Sequence, residues 1–183
     1  LGVTIGDLRL WNLYVPNGRG LDDPHFTYKL NWLEALRLNT ERWLEEDPNL
    51  PLALMGDWNI APFPDDMGDP SFTEGKSTHV SAEERAMFAS FSPSLQDVVR
   101  PLVPEGYTFW DYTQLRFPRN EGMRIDFIMG SQAFHDTVTA ASIHREERKG
   151  DSPSDHVPVV CDIDPTLLGD TFEDEYDRPM IFG

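Results

Sequence analysis

The alternation of apolar and polar residues divides the first part of the chain into a hairpin and a long helix. Residues 3–5 and 8–15 are rich in β-forming side chains, and the Gly-Asp pair at 6–7 between them is a turn signal. Apolar residues then recur every three or four positions over residues 26–43, which predicts an amphipathic helix. The Asp-Pro pair at 47–48 predicts where that helix ends.

The rest of the pattern predicts one more helix and several strands. Residues 52–55 form a short apolar run, which is typical of a strand buried on both faces. Ser81 and Glu84 form a capping box that opens a helix reaching residue 91. Further strands are predicted at residues 107–112, 125–129, 137–143 and 157–163, and Pro158 places the start of the last one at an edge or a bulge. Strands separated by two helices predict an α/β or α+β domain of layered sheets and helices.

Composition predicts a single globular domain with a large excess of acidic residues. The chain has 183 residues, of which 39% are apolar, enough to bury a sizeable core. Its formal net charge of -17 argues, taken alone, against nucleic-acid binding, because phosphate contacts need Lys and Arg. Seven acidic residues and no basic ones lie between Asp162 and Asp177. We therefore expect a domain over residues 1–163 and a solvated acidic tail over residues 164–183.

Other features bear on compartment and completeness. Cys161 is the one cysteine, so an internal disulfide is excluded and a reducing compartment is compatible with the sequence. No apolar run approaches the length of a membrane span, and no signal peptide is recognised at the start. The first residue is Leu1 rather than Met, and a strand pattern follows almost at once, so we expect a further segment upstream.

Polar residues whose side chains could bind a ligand or take part in catalysis cluster where the apolar strands end. They lie in four segments, which are YVPNGRG at 14–20, MGDWN at 55–59, NEGMRID at 120–126 and SPSDH at 152–156. A strand end that carries carboxylates, amides and an imidazole together is suited to a phosphate and a hard divalent cation. The sequence therefore predicts one site assembled from four strand ends.

Mg²⁺ is the cation that this residue set favours, since it takes oxygen ligands and usually only one or two protein carboxylates. Asp57, Asn59 and Asp155 are the candidate ligands or holders of its waters. A zinc site is disfavoured because His and Cys are not paired at ligand spacings. Each segment alone has an ordinary explanation, such as a turn at Asp57-Trp58-Asn59 or a loop at Asp155-His156. The four together favour a functional site.

The four segments and two others resemble exonuclease III type enzymes, the abasic-site endonuclease branch of the endonuclease/exonuclease/phosphatase superfamily. The matching stretches are YVPNGRG, LMGDWNIAP, SAEER, TFWDY, GMRIDFIM and SDHVPV, spread over residues 14–160. GDWN and SDH indicate only the superfamily, which includes lipid and inositol-phosphate phosphodiesterases and DNase I. YVPNG, FWDY and GMRID are typical of the DNA-repair branch. The resemblance implies two packed β-sheets flanked by helices, of which this chain carries the C-terminal two-thirds.

The resemblance also implies a role for each catalytic candidate. Asp57 orients or deprotonates the attacking water, and Asn59 holds the phosphate or metal and stabilises the pentacovalent state. His156 contacts the scissile phosphate and is oriented by Asp126. Tyr14 hydrogen-bonds the phosphate and supports the leaving group. Whether Asp57 or His156 is the general base stays open at this point.

The implied binding residues form two sets. The metal set, for Mg²⁺ with Mn²⁺ as a substitute, comprises Asp57, Asn59, Asp155 and His156. The DNA- and phosphate-binding set comprises Asn17, Arg19, Phe109, Trp110, Met123 and Arg124, with Ile125 beside Met123 in the wall of a pocket for a base-less sugar. Further cations expected along the DNA face are Lys29, Arg116 and Arg119. An Asn and a Glu that help bind the metal in the family belong to its N-terminal portion, so this chain alone is expected to lack them and to expose an apolar face.

The expected function is a Mg²⁺-dependent DNA repair nuclease of base excision repair, which cuts 5′ to abasic sites and degrades duplex DNA from 3′ ends. The resemblance implies duplex DNA as partner, no membrane, a monomeric complete enzyme and a bacterial cytoplasmic location with the nucleoid. The acidic charge predicts modest, salt-sensitive DNA affinity. Two alternatives remain open, namely a phosphodiesterase for a small phosphate ester or lipid head group, and a non-catalytic DNA-binding half.

Overall fold

Residues 1–168 are described by the computed structural model. Within this range the strands and α-helices are β1 (Gly2–Ile5), β2 (Leu8–Tyr14), α1 (Pro24–Glu46), β3 (Leu52–Asp57), α2 (Ala82–Ala89), β4 (Gln96–Asp97), β5 (Asp126–Gly130), α3 (Gln132–His135), β6 (Val138–Ile143) and β7 (Val159–Ile163). Short 3₁₀ helices lie outside these elements at Pro64–Asp66, Arg145–Lys149 and Pro165–Leu168. No helix of residues 1–168 is both long and apolar enough to cross a membrane.

Two β-sheets organise the domain, as the resemblance implied. The larger has the strand order β1-β2-β3-β5-β4, in which β2 and β3 are parallel and the other pairs are antiparallel. The smaller consists of β6 and β7 in antiparallel pairing. The strands and helices together form a mixed α/β fold, which confirms the predicted fold class.

The central strands alternate between two cores because successive side chains point to opposite faces of a sheet. Leu54 and Phe127 enter a core that includes Leu33 of α1 and Phe88 of α2. The residues between them, such as Ala53 and Ile128, face the second core, which also contains partly buried residues of β6 and β7. The helices therefore cover one face of the larger sheet and the smaller sheet covers the other.

The long helix begins and ends where the sequence predicts. The Asp23 side chain accepts a hydrogen bond from the His25 amide at 2.8 Å, and Pro24 occupies the first helical position. The helix ends at Glu46, immediately before the Asp-Pro pair at 47–48. The capping box of α2 is also present, although that helix ends at Ala89 rather than at residue 91.

The strand predicted at residues 107–112 is absent from the structure. Phe109 instead forms single bridges to Met123 and His156, so its neighbours have no continuous ladder to join. The two-residue strand β4 was not predicted, because two residues carry no periodic signal. The last strand begins at Val159, directly after Pro158, whose missing N–H cannot contribute to a ladder.

The domain continues past the boundary predicted at residue 163. Leu168 is buried in the core between the two sheets, and Asp164 donates its backbone N–H to Thr137 O at 2.7 Å. Residues 164–168 therefore pack with the domain rather than forming part of a solvated tail. The rest of the predicted acidic tail, residues 169–183, lies outside the described residues.

A fully buried ion pair joins α1 to the start of α2. Lys29 Nζ lies 2.5 Å from Glu84 Oε1, and neither side chain is exposed. Burial lowers the pKa of Lys29, and this effect outweighs the charge of Glu84, which raises it. Burial also works against ionisation of Glu84, but Lys29 and the surrounding donors outweigh it and lower the pKa of that carboxyl. The pair is therefore sustained by mutual charge and hydrogen bonds, and each partner depends on the other.

We expect Lys29→Met to lower the free energy of unfolding by about 3–5 kcal/mol, because the Glu84 carboxylate is left buried without its cation. Urea denaturation followed by tryptophan fluorescence measures this loss. Lys76→Met is the matched control, since Lys76 is exposed, and it should change stability by no more than about 0.5 kcal/mol. Equal effects of the two substitutions would contradict the importance of the buried pair.

Candidate active site

Three neighbouring strands place polar side chains at one edge of the larger sheet. In the parallel ladder between β2 and β3, Tyr14 lies opposite Asp57. In the antiparallel ladder between β3 and β5, Asp57 lies opposite Asp126. Tyr14 is 70% exposed, so this residue is accessible at the edge of the sheet that carries the two aspartates.

Asp57 and Asn59 are fixed to one another by a tight turn after β3. The Asn59 amide N–H donates to Asp57 Oδ1 at 2.8 Å, and Asn59 Nδ2 donates to Asp57 Oδ2 at 2.9 Å. Nδ2 also donates to Val15 O at 2.8 Å. Asn59 has a φ of 52°, a left-handed conformation that Asn tolerates better than most residues. Both oxygens of the Asp57 carboxylate are therefore oriented by one residue.

Asp57 is an unusually good proton acceptor for a carboxylate. Burial raises its pKa, and the nearby charge of Asp126 raises it further, to about 6. His156, the Asn59 amide and Lys29 act in the opposite direction but do not cancel these effects. Asp57 is therefore ionised at neutral pH while remaining far more basic than an ordinary aspartate.

His156 is paired with Asp126 on the other side of Asp57. His156 Nδ1 lies 2.8 Å from Asp126 Oδ2, which leaves Nε2 outside that hydrogen bond. Burial works against the charged imidazole, but the hydrogen bond and charge of Asp126 outweigh it and raise the pKa of His156. The Phe109 ring lies 5.0 Å from the imidazole, centroid to centroid. Asp126 thus fixes the tautomer of His156 and favours its positive charge.

Backbone hydrogen bonds hold the segment that carries His156 against the sheet. Val157 donates to Thr108 O at 2.9 Å, and Trp110 donates to Asp155 O at the same distance. The Thr108 hydroxyl in turn accepts from the Asp126 amide at 3.1 Å. The TFWDY stretch therefore acts as a scaffold between β5 and the Asp155-His156 loop, even though it forms no strand.

His79 belongs to the site although the sequence analysis did not select it. Its Nε2 lies 2.9 Å from Asn59 Oδ1, and the ring is buried with its face close to Phe72. Burial and the charge of Lys29 lower its pKa to about 4, so the ring is neutral near pH 7. A single His in a loop has no ligand spacing or periodicity to reveal it. The only local signal was its place just before the capping box of α2.

The YVPNGRG turn lies against the segment that carries His79. A side chain at Gly18 would come within 2.5 Å of Thr78 Oγ1, so only glycine permits this approach. Asn17 Nδ2 lies 3.4 Å from His79 Nε2, and Asn17 Oδ1 accepts from the Arg19 amide at 2.8 Å. Asn17 and Arg19 are exposed, as expected of residues that contact a ligand.

Three cations expected along an exposed DNA face are buried instead. Lys29 is paired with Glu84, and Arg116 bonds to Glu121 at 2.5 Å. Arg124 is 2% exposed, and its guanidinium donates to Val103 O at 2.8 Å. These side chains neutralise carboxylates or satisfy carbonyls inside the protein, which corrects that expectation.

Of the apolar residues expected in a pocket wall, one is accessible at the site and the others are buried. Phe109 is half-buried beside His156 and remains at the site. Trp110 is fully buried, and Met123 and Ile125 belong to a small core with Val80. Trp110 and these two residues therefore support the site from behind and do not form an accessible surface.

The donor set at this edge fits a hard divalent cation. Asp57 and Asp126 face one another across the ladder, and the charge of Asp126 raises the pKa of Asp57. A cation beside two such carboxylates relieves their repulsion, and Mg²⁺ is usually held by one or two carboxylates, waters and phosphate oxygens. Among residues 1–168, no group of three or more His, Cys, Asp and Glu side chains is arranged to hold a metal ion.

The pKa of His79 predicts a pH-dependent stability. Between pH 7 and pH 5 the unfolded chain protonates this residue, whose ordinary pKa is 6.5, whereas the folded protein, with a pKa of about 4, does not. Folding stability attributable to His79 therefore falls as the pH falls, by about 2 kcal/mol over this range. The measurement compares urea denaturation of the wild type with His79→Gln at both pH values. Other titrating groups are shared by the two proteins, so identical pH dependences would refute the prediction.

The chain is similar to known proteins. A profile described as "Endonuclease/Exonuclease/phosphatase family" matches residues 11–156. The chain is 31% identical over 174 residues to exodeoxyribonuclease III of Haemophilus influenzae, which covers 89% of this chain and 64% of that protein.

Solved structures agree with this match. The structure of the 3′ phosphatase NExo from Neisseria bound to a product DNA hairpin has a TM-score of 0.80 and 37% identity, covering 89% of this chain and 63% of that one. An AP endonuclease from Archaeoglobus fulgidus has a TM-score of 0.77 and 28% identity, covering 89% and 64%. The chain thus spans less than two thirds of the length of these proteins. It belongs to the Endonuclease/Exonuclease/phosphatase family.

Proposed function

We propose that the chain is the catalytic region of a Mg²⁺-dependent DNA repair nuclease that hydrolyses phosphodiesters at 3′ ends and 5′ to abasic sites. One observation carries the proposal, which is that the Asp57–Asn59 pair lies directly across a strand ladder from the Asp126–His156 pair. A basic carboxylate and a carboxylate-held imidazole at one sheet edge provide the two functions that phosphodiester hydrolysis needs. One accepts a proton from water, and the other supports the phosphate.

Asp57 is the proposed proton acceptor for the attacking water. Its pKa of about 6 leaves it ionised at pH 7 and close enough to that pH to accept a proton effectively. His156 is less suited to this role, because Asp126 raises its pKa and favours the form that already carries a proton. The question that the sequence left open is therefore decided in this proposal in favour of Asp57.

His156, Tyr14 and Asn17 are the proposed phosphate contacts. Protonated His156 would attract the anionic phosphate, and its Nε2 is the nitrogen outside the hydrogen bond with Asp126. Tyr14 is exposed and lies opposite Asp57 in the parallel ladder, and its hydroxyl can donate to an oxygen of the phosphate or leaving group. The Asn17 amide extends this donor surface toward solvent.

Asp155 would hold Mg²⁺, with Mn²⁺ as a substitute that accepts the same oxygen donors. The cation would lie beside Asp57 without binding it directly, because a directly bound cation would lower the pKa of Asp57 and stop it from accepting a proton. When bound, the cation offsets negative charge that develops on the phosphate. Asp126 is committed to His156 by its short hydrogen bond, and Asn59 Oδ1 accepts from His79. The ligand left for a cation is thus the carboxylate of Asp155, which matches the preference of Mg²⁺ for oxygen.

The names of the similar proteins support DNA as the substrate. They include an exodeoxyribonuclease III, a 3′ phosphatase bound to a DNA hairpin and an AP endonuclease. The 3′ phosphatase has the higher identity of the two structures, which favours 3′ ends as substrates ahead of abasic sites. Exposed Arg19 and Arg119 are candidate backbone contacts in an otherwise acidic protein. We place its action with bacterial DNA in the cytoplasm as part of the same proposal.

The first experiment measures hydrolysis of three substrates, with Mg²⁺ and with EDTA. The substrates are a duplex with one abasic site, a duplex with a recessed 3′-hydroxyl end, and a small aryl phosphodiester. The chain is assayed as it is and in a form extended to the length of its relatives. Metal-dependent cleavage of either DNA supports the proposal. Hydrolysis of the small ester alone would support the phosphodiesterase alternative, and DNA binding without cleavage by either form would support a non-catalytic role.

Asp57→Asn should lower kcat by about 10²–10⁴-fold, because the amide cannot accept the proton of the attacking water. The measurement is single-turnover cleavage of the preferred DNA substrate at saturating enzyme. Asp151→Asn is the matched control, since Asp151 is exposed on the loop that leads to His156. If Asp57→Asn retains more than a tenth of the wild-type rate, Asp57 is not the base.

Tyr14→Phe should lower kcat/KM by about 10- to 100-fold, because one hydrogen-bond donor to the reacting phosphate is lost. Tyr28→Phe removes a hydroxyl from another exposed tyrosine, on α1, and should leave the rate unchanged. Steady-state kinetics on the same DNA substrate compares the two. A rate for Tyr14→Phe equal to that of Tyr28→Phe would remove Tyr14 from the mechanism.

A further inference from the structure

We propose that His79 is a positioning residue that locks the side-chain amide of Asn59 in one orientation and thereby orients Asp57. This inference rests on the proposed function, since Asp57 is the proton acceptor there. It begins with the three contacts of the Asn59 amide, which are Val15 O at 2.8 Å, Asp57 Oδ2 at 2.9 Å and His79 Nε2 at 2.9 Å. No other contact orients the Asp57 carboxylate through a side chain in residues 1–168.

The network determines which atom of the amide faces His79. Val15 O and the Asp57 carboxylate can only accept hydrogen bonds, so the NH₂ group must face them and the amide oxygen must face His79. His79 Nε2 must then carry the proton and donate it. The opposite orientation would place the amide oxygen against two acceptors and lose both of those hydrogen bonds.

A neutral His79 ring has one N–H group, and this group donates its hydrogen bond to Asn59. The ring is neutral near pH 7, and its Nδ1 is buried with no hydrogen-bond partner in the structure. Asn17 Nδ2 lies 3.4 Å from Nε2 but is itself a donor, so it cannot accept the hydrogen that Nε2 gives to Asn59. Burying an imidazole with one unsatisfied nitrogen costs free energy. The hydrogen bond to Asn59 is the side-chain interaction that offsets part of this cost.

The buried ion pair fixes the distance between the two residues. Glu84 Oε1 accepts from the His79 amide at 2.9 Å, and Lys29 Nζ donates to Asn59 O at 2.7 Å. Because Lys29 and Glu84 are themselves bonded, the backbones of His79 and Asn59 are connected through one rigid pair. His79 has a φ of 75°, a left-handed conformation that this clamp maintains.

Loss of the donor should reduce turnover more than substrate binding. Without it the Asn59 side chain keeps its hydrogen bonds to Val15 O and Asp57 Oδ2 but loses the contact that holds its oxygen, so the donor to Oδ2 is positioned less firmly. Two of the three proposed phosphate contacts, Tyr14 and His156, make no hydrogen bond to His79, and Asn17 approaches it only at 3.4 Å, so KM should change less than kcat. A misplacement of about 1 Å in a catalytic group can cost about 100-fold in rate.

Two variants separate the donor from the bulk of the ring. His79→Phe keeps an aromatic ring against Phe72 but cannot donate, whereas His79→Gln keeps an N–H at about the position of Nε2. We expect kcat on the preferred DNA substrate to fall 10- to 100-fold in His79→Phe, with KM within threefold, and to stay within fivefold of wild type in His79→Gln. If His79→Phe matches wild type, or both variants lose the same activity, the proposal is overturned.

A second measurement does not depend on nuclease activity. The Asn59 side-chain NH₂ should give an NMR signal protected from exchange with water in wild type and in His79→Gln, and lose that protection in His79→Phe. Should His79→Phe not fold, as judged by circular dichroism, His79→Leu replaces it in both assays. If wild type cleaves no DNA, the proposed function fails, and the exchange data alone decide the positioning role. Protection unchanged in the variants without a donor overturns it.

Discussion

Strand β3 pairs with β2 on one side and with β5 on the other, and the site depends on the register of both ladders. A shift of one residue in a ladder turns every side chain of the strand to the opposite face. The alternation of Leu54 into one core and Ala53 into the other prevents such a shift, because each face is fully buried. Core packing along β3 thus determines that Asp57 meets Asp126 at the end of the sheet.

The two aspartates have the same chemistry but different surroundings, which separates their roles. Asp126 is engaged by an imidazole, whereas Asp57 is engaged by neutral N–H donors and is buried beside the charge of Asp126. Environment rather than residue type therefore makes one the holder of a histidine and the other a base. The arrangement needs both partners, because the charge of Asp126 contributes to the raised pKa of Asp57.

Sequence patterns predicted the elements that depend on local periodicity, and missed those that depend on distant contacts. The helix at Pro24–Glu46 follows from apolar spacing and a proline at its start. The TFWDY stretch contains β-forming residues, yet Phe109 finds only single-residue partners at Met123 and His156, which no local pattern encodes. The residues of the site were recognised from motifs, whereas their contacts required the fold.

Burial of charged and polar side chains was the other property that the sequence did not reveal. Arg124 and Lys29 look like surface cations in one dimension, but each meets a carbonyl or carboxylate contributed by a distant segment. His79 likewise gains its role from Asn59, twenty residues earlier in the chain. Such pairings arise only when the folded chain brings distant segments together, so the spacing of residues along the sequence does not predict them.

The burial of these cations changes how an acidic protein can attract DNA. With Lys29, Arg116 and Arg124 occupied inside the fold, these three cations are not available at the surface to offset the charge of -17. Under the proposed function, phosphate recognition relies more on the local field at the end of the sheet, where His156 and a divalent cation would act at short range. Short-range contacts of this kind favour a phosphate that reaches the site over phosphates elsewhere along the duplex. An acidic surface is therefore compatible with a nuclease whose specificity lies in its catalytic centre rather than in general affinity for DNA.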